Sequence, residues 1–546
     1  NEKGPVLNHI DRIEAAKILP YSYILGGNMG TIKSTVLYSV VENDSSVPRT
    51  FPTMTSHLDP NAFFQVFREN WNNDSDWLSL ITWNKITQEN RDMMHNDQMS
   101  FEYYSRGDLL LADAGEPKYL GSYGMNDIHH NTIALEDPRS PFPVSSWSGS
   151  TSQGISKGNI NGLATPVTVA TIVQLPWIQM MQTKASITKI VDITTHPNGR
   201  TLTSPIAYER TIMYPESDYF VIIDRMEGTQ SWTYRNIFRP TSLMATSTLD
   251  VNKNGKYELE EIGHVNGNLK LGTIPYNWQA LPQKTETPTG ITTNSLVWTT
   301  KNPYGKDVQL NLYSAPSSEI LIEKNTGRIG GLDAKSEVYS PVVWFRTPAA
   351  TSEYRVTALL SSYSTETAKT ATEIAVTGTG HAIKVSSPTA DDFIYTGKGT
   401  SSFAGFTTDA DTVYIRKNGS VNEYTLIQGS FLKEANVSKV NITQKVDFLT
   451  LKQEGNTIKF KVKGQTSADI RMEQTFATSV MRDGSTYTQW VMENNSTTLK
   501  ISTTLSEHDF EISSGNRLII TPISNKTVNV SEQLTIPLKV TYSGPG

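Results

Sequence analysis

The sequence contains no cysteine. That excludes disulfides, thiolate metal sites, thioether-linked haem and cysteine nucleophiles together, so stability has to come from packing, hydrogen bonds and bound ions. Charge is sparse as well: 19% of the 546 residues are charged, and the formal net charge is -6 at pH 7. Lys and Arg are scattered rather than clustered, which argues against a nucleic-acid partner. No run of about 18 apolar residues occurs, so no membrane span is predicted. The chain opens on Asn1 with neither an initiator Met nor a signal-peptide core, and it reads as a mature form whose signal peptide has been removed.

What the sequence does hold is length, enough for several domains with well-buried cores, and many Ser, Thr and Asn residues. Asn-X-Ser/Thr sites stand at Asn43, Asn73, Asn418, Asn436, Asn441, Asn494, Asn495, Asn525 and Asn529, denser towards the C-terminus. Each is a candidate glycosylation acceptor, although a chain this rich in Ser and Thr generates some by chance. Together with the missing cysteines they point to an extracellular or cell-surface protein. An archaeal or bacterial envelope fits best, because eukaryotic secreted chains of this size usually carry disulfides.

Residues 9–19 place Ile10, Ile13 and Ala16 at helical spacing before Pro20. From about residue 33 onward the text becomes short runs of Val, Ile, Thr, Tyr and Phe separated by Gly, Pro, Asn and Asp, the pattern of an all-β sandwich or barrel. Trp77–Trp83, Tyr219–Asp224 and Val338–Trp344 are examples. The expected architecture is a large antiparallel β-sandwich, or supersandwich, followed by smaller β-sandwich modules. Its segments are an N-terminal piece with a short helix (1–45), the large sandwich (46–362), a β-module (374–450) and a C-terminal module (451–546). Ser/Thr-rich 361–373 reads as a linker or long exposed turn, and 143–164 as a long loop.

Chemistry concentrates in residues 92–135. His95 precedes a strand at Met99–Tyr104, Asp113 closes one at Leu109–Ala112, and His130 opens one at Thr132–Leu135. Ends of neighbouring strands can converge, and two imidazoles with one carboxylate suit zinc or a similar divalent ion, leaving a fourth position for water. Taken singly, a His beside a strand is more often structural.

The run His95-Asn-Asp97-Gln-Met-Ser100-Phe101, then Leu-Leu-Ala-Asp113-Ala-Gly115, then His130-Asn131-Thr132, resembles the C-terminal β-sandwich domain of the heparinase II/III-like polysaccharide lyases. Flanking matches at Phe67–Trp71, Asp76–Leu80, Tyr208–Tyr214 and Asp218–Asp224 keep the order, over roughly residues 50–360. The resemblance implies a structural zinc on His95, Asp113 and His130. It also implies a catalytic His at the position held here by Met93, and an α-helical toroid ahead of the sandwich that supplies a catalytic Tyr and the groups neutralising the substrate carboxylate. This sequence has at most one short helix there. Tyr123 and His129 are the weak substitutes as catalytic groups.

A second ion site is expected at Asp250–Glu261, where Asp250, Asn252, Asn254, Lys256, Glu258 and Glu261 fall at the ligand positions of a calcium loop, with Gly255 at its sharp turn. An acidic hairpin turn is the plainer alternative. Two functions compete. One is a non-catalytic surface protein that uses a metal-stabilised sandwich to bind a polysaccharide or envelope glycan, or to assemble an envelope layer or filament, with which a homo-oligomer is compatible. The other is a polysaccharide lyase acting by β-elimination on uronate-containing glycans, or the sandwich part of one whose toroid is absent from this chain.

Overall fold

The structure, a computed structural model, describes residues 55–61, 64–72, 74–82, 99–111, 130–136, 167–192, 196–239, 269–271, 274–275, 294–301, 306–316, 318–326, 339–419, 421–473, 477–494, 497–514, 517–520 and 540–543. Its described residues are all-β, with no helix among them. The helix expected over 9–19 and the loop expected over 143–164 lie outside the described residues. Two compact units divide the chain, Asn1–Glu373 and Ile374–Gly546.

In the first unit, β1 (Phe64–Arg68), β2 (Trp77–Ile81), β3 (Phe101–Ser105) and β4 (Asp108–Leu111) form a small antiparallel sheet in that order. The chain then makes β5 (Ile133–Glu136), β6 (Thr168–Leu175), β7 (Ile178–Asp192), β8 (His196–Pro215) and β9 (Phe220–Phe238). It continues with β10 (Leu269–Leu271), β11 (Ile274–Pro275), β12 (Ser295–Lys301), β13 (Asp307–Ala315), β14 (Glu319–Thr326), β15 (Tyr339–Arg346) and β16 (Ala350–Tyr363). These build a large sheet in the order β11-β10-β12-β13-β16-β9-β8-β7-β6, with β14 on β15, and β15 and β5 both on β9.

The two sheets share one hydrophobic core. Phe67, Leu78, Leu80, Phe101 and Tyr103 of the small sheet pack with Ile212, Tyr214, Phe220, Ile222, Leu310 and Leu359 of the large one. Phe220 is the hinge of this packing: Tyr214 stacks on it at 4.0 Å while Phe67 and Tyr103 meet it edge-on at 6.1 and 5.4 Å. Burying one such side chain contributes roughly 1.5–3 kcal/mol, and edge-to-face pairs add about 0.5–1.5 kcal/mol beyond area.

One sequence expectation needs correcting. Ser361 and Ser362 do not begin a linker; both are buried within β16, where Ser361 Oγ accepts from Tyr103 OH and shares a hydrogen bond with Ser105. Only after Tyr363 does the chain turn, with Glu366 N–H bonded to the Tyr363 carbonyl at 3.0 Å.

The second unit is built from paired antiparallel strands such as Val376–Ser386 with Asp391–Phe403 and Val421–Glu434 with Val437–Glu454. Residue 450 lies inside Val437–Glu454, and one core takes residues from both sides of it, from Tyr395 and Leu426 to Phe460 and Phe510. Gly380 and Gly397 face each other in the first of these pairs. Gly380 has φ 122°, and a Cβ on it would meet the Thr396 carbonyl oxygen at 2.1 Å, so only glycine fits this close approach.

Candidate functional site

Of the expected zinc ligands, His130 alone lies among the described residues; His95 and Asp113 lie outside them, as do Met93, Tyr123, His129 and the whole loop 250–261. Among the described residues no group of three or more His, Asp or Glu side chains is placed to hold a metal. Four of the expected glycosylation acceptors, Asn418, Asn436, Asn441 and Asn494, are described and exposed; Asn43, Asn73, Asn495, Asn525 and Asn529 lie outside.

His130 is fully buried, on the segment that leads into β5, and its surroundings form a polar centre inside the sandwich. Asn131 ties this segment to three places at once. Its backbone N–H donates to Ser100 Oγ (3.0 Å), its side-chain amide donates to the Phe101 carbonyl (2.7 Å), and its Oδ1 accepts from the Arg239 N–H (2.8 Å). Beneath it, Arg210 of β8 donates to the Asn131 carbonyl (2.8 Å) and to that of Met99, while its Nε and Nη2 hold Asp224 of β9 at 2.7 and 3.0 Å. Tyr208 OH and Asn236 Nδ2 fill the remaining sites on Asp224, both at 3.1 Å. Burial drives the Tyr208 hydroxyl well above its ordinary range, with the Asp224 charge adding to it and Arg210 opposing. Chemically this is a clamp: a bidentate buried ion pair that fixes the segments leading into β3 and β5, at Met99 and Asn131.

Nearer the end of the small sheet lies a second polar group. Asp76, 2% exposed, accepts a hydrogen bond from Ser105 Oγ, Ser105 and Ser361 share another, and Tyr103 OH donates to Ser361 Oγ at 2.9 Å. This hydroxyl chain runs from the small sheet to β16 of the large one. Burial raises the Asp76 carboxyl to about 7, against the opposing pull of Arg106 and the Ser105 hydrogen bond. Arg106 sits half-buried beside it and is itself held more firmly protonated: burial works against the charge, but Asp76 and Glu366 outweigh it.

At the adjoining turn, 69–76, a stack of planar groups leads outward. Trp77 lies on Tyr104 (5.6 Å, 14° between planes), Arg68 stands 6.0 Å from the Trp77 ring, and the same guanidinium lies 4.4 Å from Trp71. Trp77 is buried, whereas Trp71 at the outer end of the stack is half-buried. The turn is braced by Asn72 N–H to Asn70 Oδ1 (2.7 Å), Ser75 Oγ to the Asn70 carbonyl (2.8 Å) and Glu69 N–H to the Asp76 carbonyl (3.0 Å). Sequence reasoning missed the Asp76 chain. Asp76 was visible only as the start of an apolar strand, and nothing in its neighbours shows that Ser361 would face it.

No family model matches the sequence, and no curated protein matches it. Solved structures similar to it include a heparinase III, a heparan sulfate lyase and a chondroitin AC lyase. A heparinase III is 12% identical, with 75% of this chain and 54% of that chain covered and a TM-score of 0.40. The heparan sulfate lyase of Pedobacter heparinus is 12% identical over 68% of this chain and 46% of its own, also at 0.40. A chondroitin AC lyase of Streptomyces coelicolor A3, in complex with chondroitin sulphate, is 9% identical over 93% of this chain and 57% of its own, at 0.30. The chain thus spans about half the length of the structures it matches. Likeness at these scores carries nothing about activity across.

Proposed function

We propose that the chain is an extracellular surface protein whose lyase-like sandwich, stabilised by zinc on His95, Asp113 and His130, binds glycans without cleaving them. The observation that carries the reading is Trp71, an indole at the end of a Trp71-Arg68-Trp77-Tyr104 stack on a hydrogen-bonded turn. A ring held this way loses little freedom on binding, and it belongs to a turn rich in amide and carboxyl residues (Asn70, Asn72, Asp74), a composition that suits a polyhydroxylated pyranose. Against turnover stands Met93, at the position where the family resemblance implies a catalytic His. A thioether cannot take up the proton alpha to a uronate carboxyl, and general acid–base groups typically contribute roughly 10²- to 10⁴-fold each.

The test is calorimetric titration with heparan sulfate, alginate and ulvan, alongside ultraviolet absorbance for unsaturated products. Saturable binding without product, weakened about tenfold or more in Trp71→Ala, is expected. Steady product formation that is lost in Tyr123→Phe or His129→Ala would replace this reading with the competing one, a lyase that has recruited its own base.

A further inference from the structure

In the second unit three segments meet that the sequence shows no reason to associate. The strand Thr498–Thr504 pairs with Ser467–Glu473, whereas His508–Ser514 pairs with Thr457–Lys463, so residues 505–507 form an arch that carries the chain from one pairing to the next. Leu505 anchors the arch, buried and with its N–H on the Thr466 carbonyl at 2.7 Å. Asp483 comes from elsewhere, the tight turn between Ala477–Arg482 and Ser485–Thr486, where it and Gly484 take φ of 51° and 75°. Its N–H reaches the Asp509 carbonyl at 2.8 Å, and the Asp509 N–H returns to Asp483 Oδ1 at 3.0 Å. The turn is thereby held against the arch.

Across this junction His508 Nδ1 lies 2.7 Å from Asp483 Oδ2, and His508 Nε2 lies 2.8 Å from Ser506 Oγ. Burial works against the Asp483 charge, but the Asp509 N–H and His508 outweigh it, so the carboxyl is held below its usual range and stays a carboxylate. A carboxylate only accepts, so Nδ1 carries a proton, and in the neutral imidazole the Nε2 lone pair faces the serine hydroxyl. Ser506 is exposed, His508 is half-buried with Phe510 meeting its ring edge-on at 6.3 Å, and Thr504 Oγ1 also approaches Nε2, at 3.0 Å.

We propose that Ser506 is a nucleophile with His508 as its base and Asp483 orienting that base, and that it accepts acyl groups from esters offered on an open surface, such as those borne by a polymer. Nucleophile, base and orienting group are recognised by geometry and role rather than by order along the chain. As Ser506 Oγ bonds to the ester carbonyl carbon, its proton passes to Nε2. The carbon–alkoxy bond then breaks and the alkoxide leaves with that proton. Water restores the serine by the same route: it gives a proton to Nε2, its oxygen bonds to the acyl carbon, and the Ser506 Oγ–acyl bond breaks as the proton returns to Oγ. The open position of Ser506 on an arch favours a small acyl group on a large carrier over a molecule that needs enclosure.

The full chain treated with p-nitrophenyl acetate tests this, reading nitrophenolate release and the acetylated residue by peptide mass spectrometry. Acetyl on Ser506 is expected, with acylation slowed roughly 10²- to 10⁴-fold in His508→Gln and about tenfold or more in Asp483→Asn, whose side chain lies outside the core. Thr504→Val should still be acetylated on Ser506. Three results would each overturn the proposal: no acetyl on Ser506, an unchanged rate in Asp483→Asn or in a folded His508→Gln, or a loss in Thr504→Val as large as in Ser506→Ala.

Discussion

Replacing Asp76 by Asn should make the sandwich less sensitive to pH, and in a stated direction. In the unfolded chain this carboxyl ionises near its ordinary 3.8; in the folded protein burial holds it protonated up to about 7. Between those values the folded state keeps a proton that the unfolded state has released, so this group's contribution to stability falls as pH rises through the window and the loss is complete above about 7. At ~1.4 kcal/mol for each unit of pH, the rise from 3.8 to about 7 corresponds to about 4 kcal/mol. Arg106, Glu69 and Lys369 are the charges that face it, and Tyr103 and Tyr214 are the hydroxyl groups that feel it. Asn is neutral throughout, and its Oδ1 can still accept from Ser105. The two-unit chain does not promise a single unfolding transition, so the assay is hydrogen exchange of peptides covering Trp77–Ile81 and Phe101–Ser105, compared with wild type at each pH so that intrinsic exchange cancels. Asp76→Asn should be the better protected protein at about pH 8, with the advantage shrinking towards about pH 4. A constant ratio across that range would refute the reasoning.

Three further outcomes are expected. Asp224→Asn strips the buried Arg210 of its countercharge and should destabilise the first unit by roughly 3–5 kcal/mol, read as a lowered denaturant midpoint, while a double replacement Arg210→Met with Asp224→Leu should recover much of the loss. Protein purified without chelators should carry about one zinc per chain by elemental analysis, and full occupancy in a His95→Ala, His130→Ala double variant would place the metal elsewhere. Calcium should raise the melting temperature relative to chelator, and if Glu261→Gln leaves that difference unchanged, the loop Asp250–Glu261 is not its site.

The all-β class was legible because strand pattern is local. Thr457–Lys463 alternates as Thr-Ile-Lys-Phe-Lys-Val-Lys, and the structure gives a strand of those bounds with Ile458, Phe460 and Val462 inward. Strand lengths were not legible. The run Tyr219–Asp224 holds only the start of β9, which begins at Phe220 and runs on to Phe238 through Glu227, Gly228 and Thr229, residues that read as punctuation but sit on a partly exposed stretch of a long ladder. The polar centre was half legible: Arg210, Asp224 and Asn131 stood within the matched runs, yet nothing local says that Arg210 on β8 would reach the carbonyls of Met99 and Asn131. The Ser361 hydroxyl was misread for the same reason. A serine looks like linker until a tyrosine 258 positions away supplies its hydrogen bond.

The Arg210–Asp224 pair has one more consequence, for the alignment of the long strands. Residues Phe220 to Met226 of β9 are buried on both faces, and Phe220-Val221-Ile222-Ile223 is apolar without interruption. Sliding β9 by one residue against β8 would therefore exchange one apolar face for another, and hydrophobicity alone would barely resist it. The charges do resist. In the observed alignment Arg210 faces Asp224 and Glu209 faces Arg225. One step in either direction would set Arg210 against Arg225, or Glu209 against Asp224, like charges at buried or half-buried positions. The pair works as a key that only one alignment of the two strands can turn.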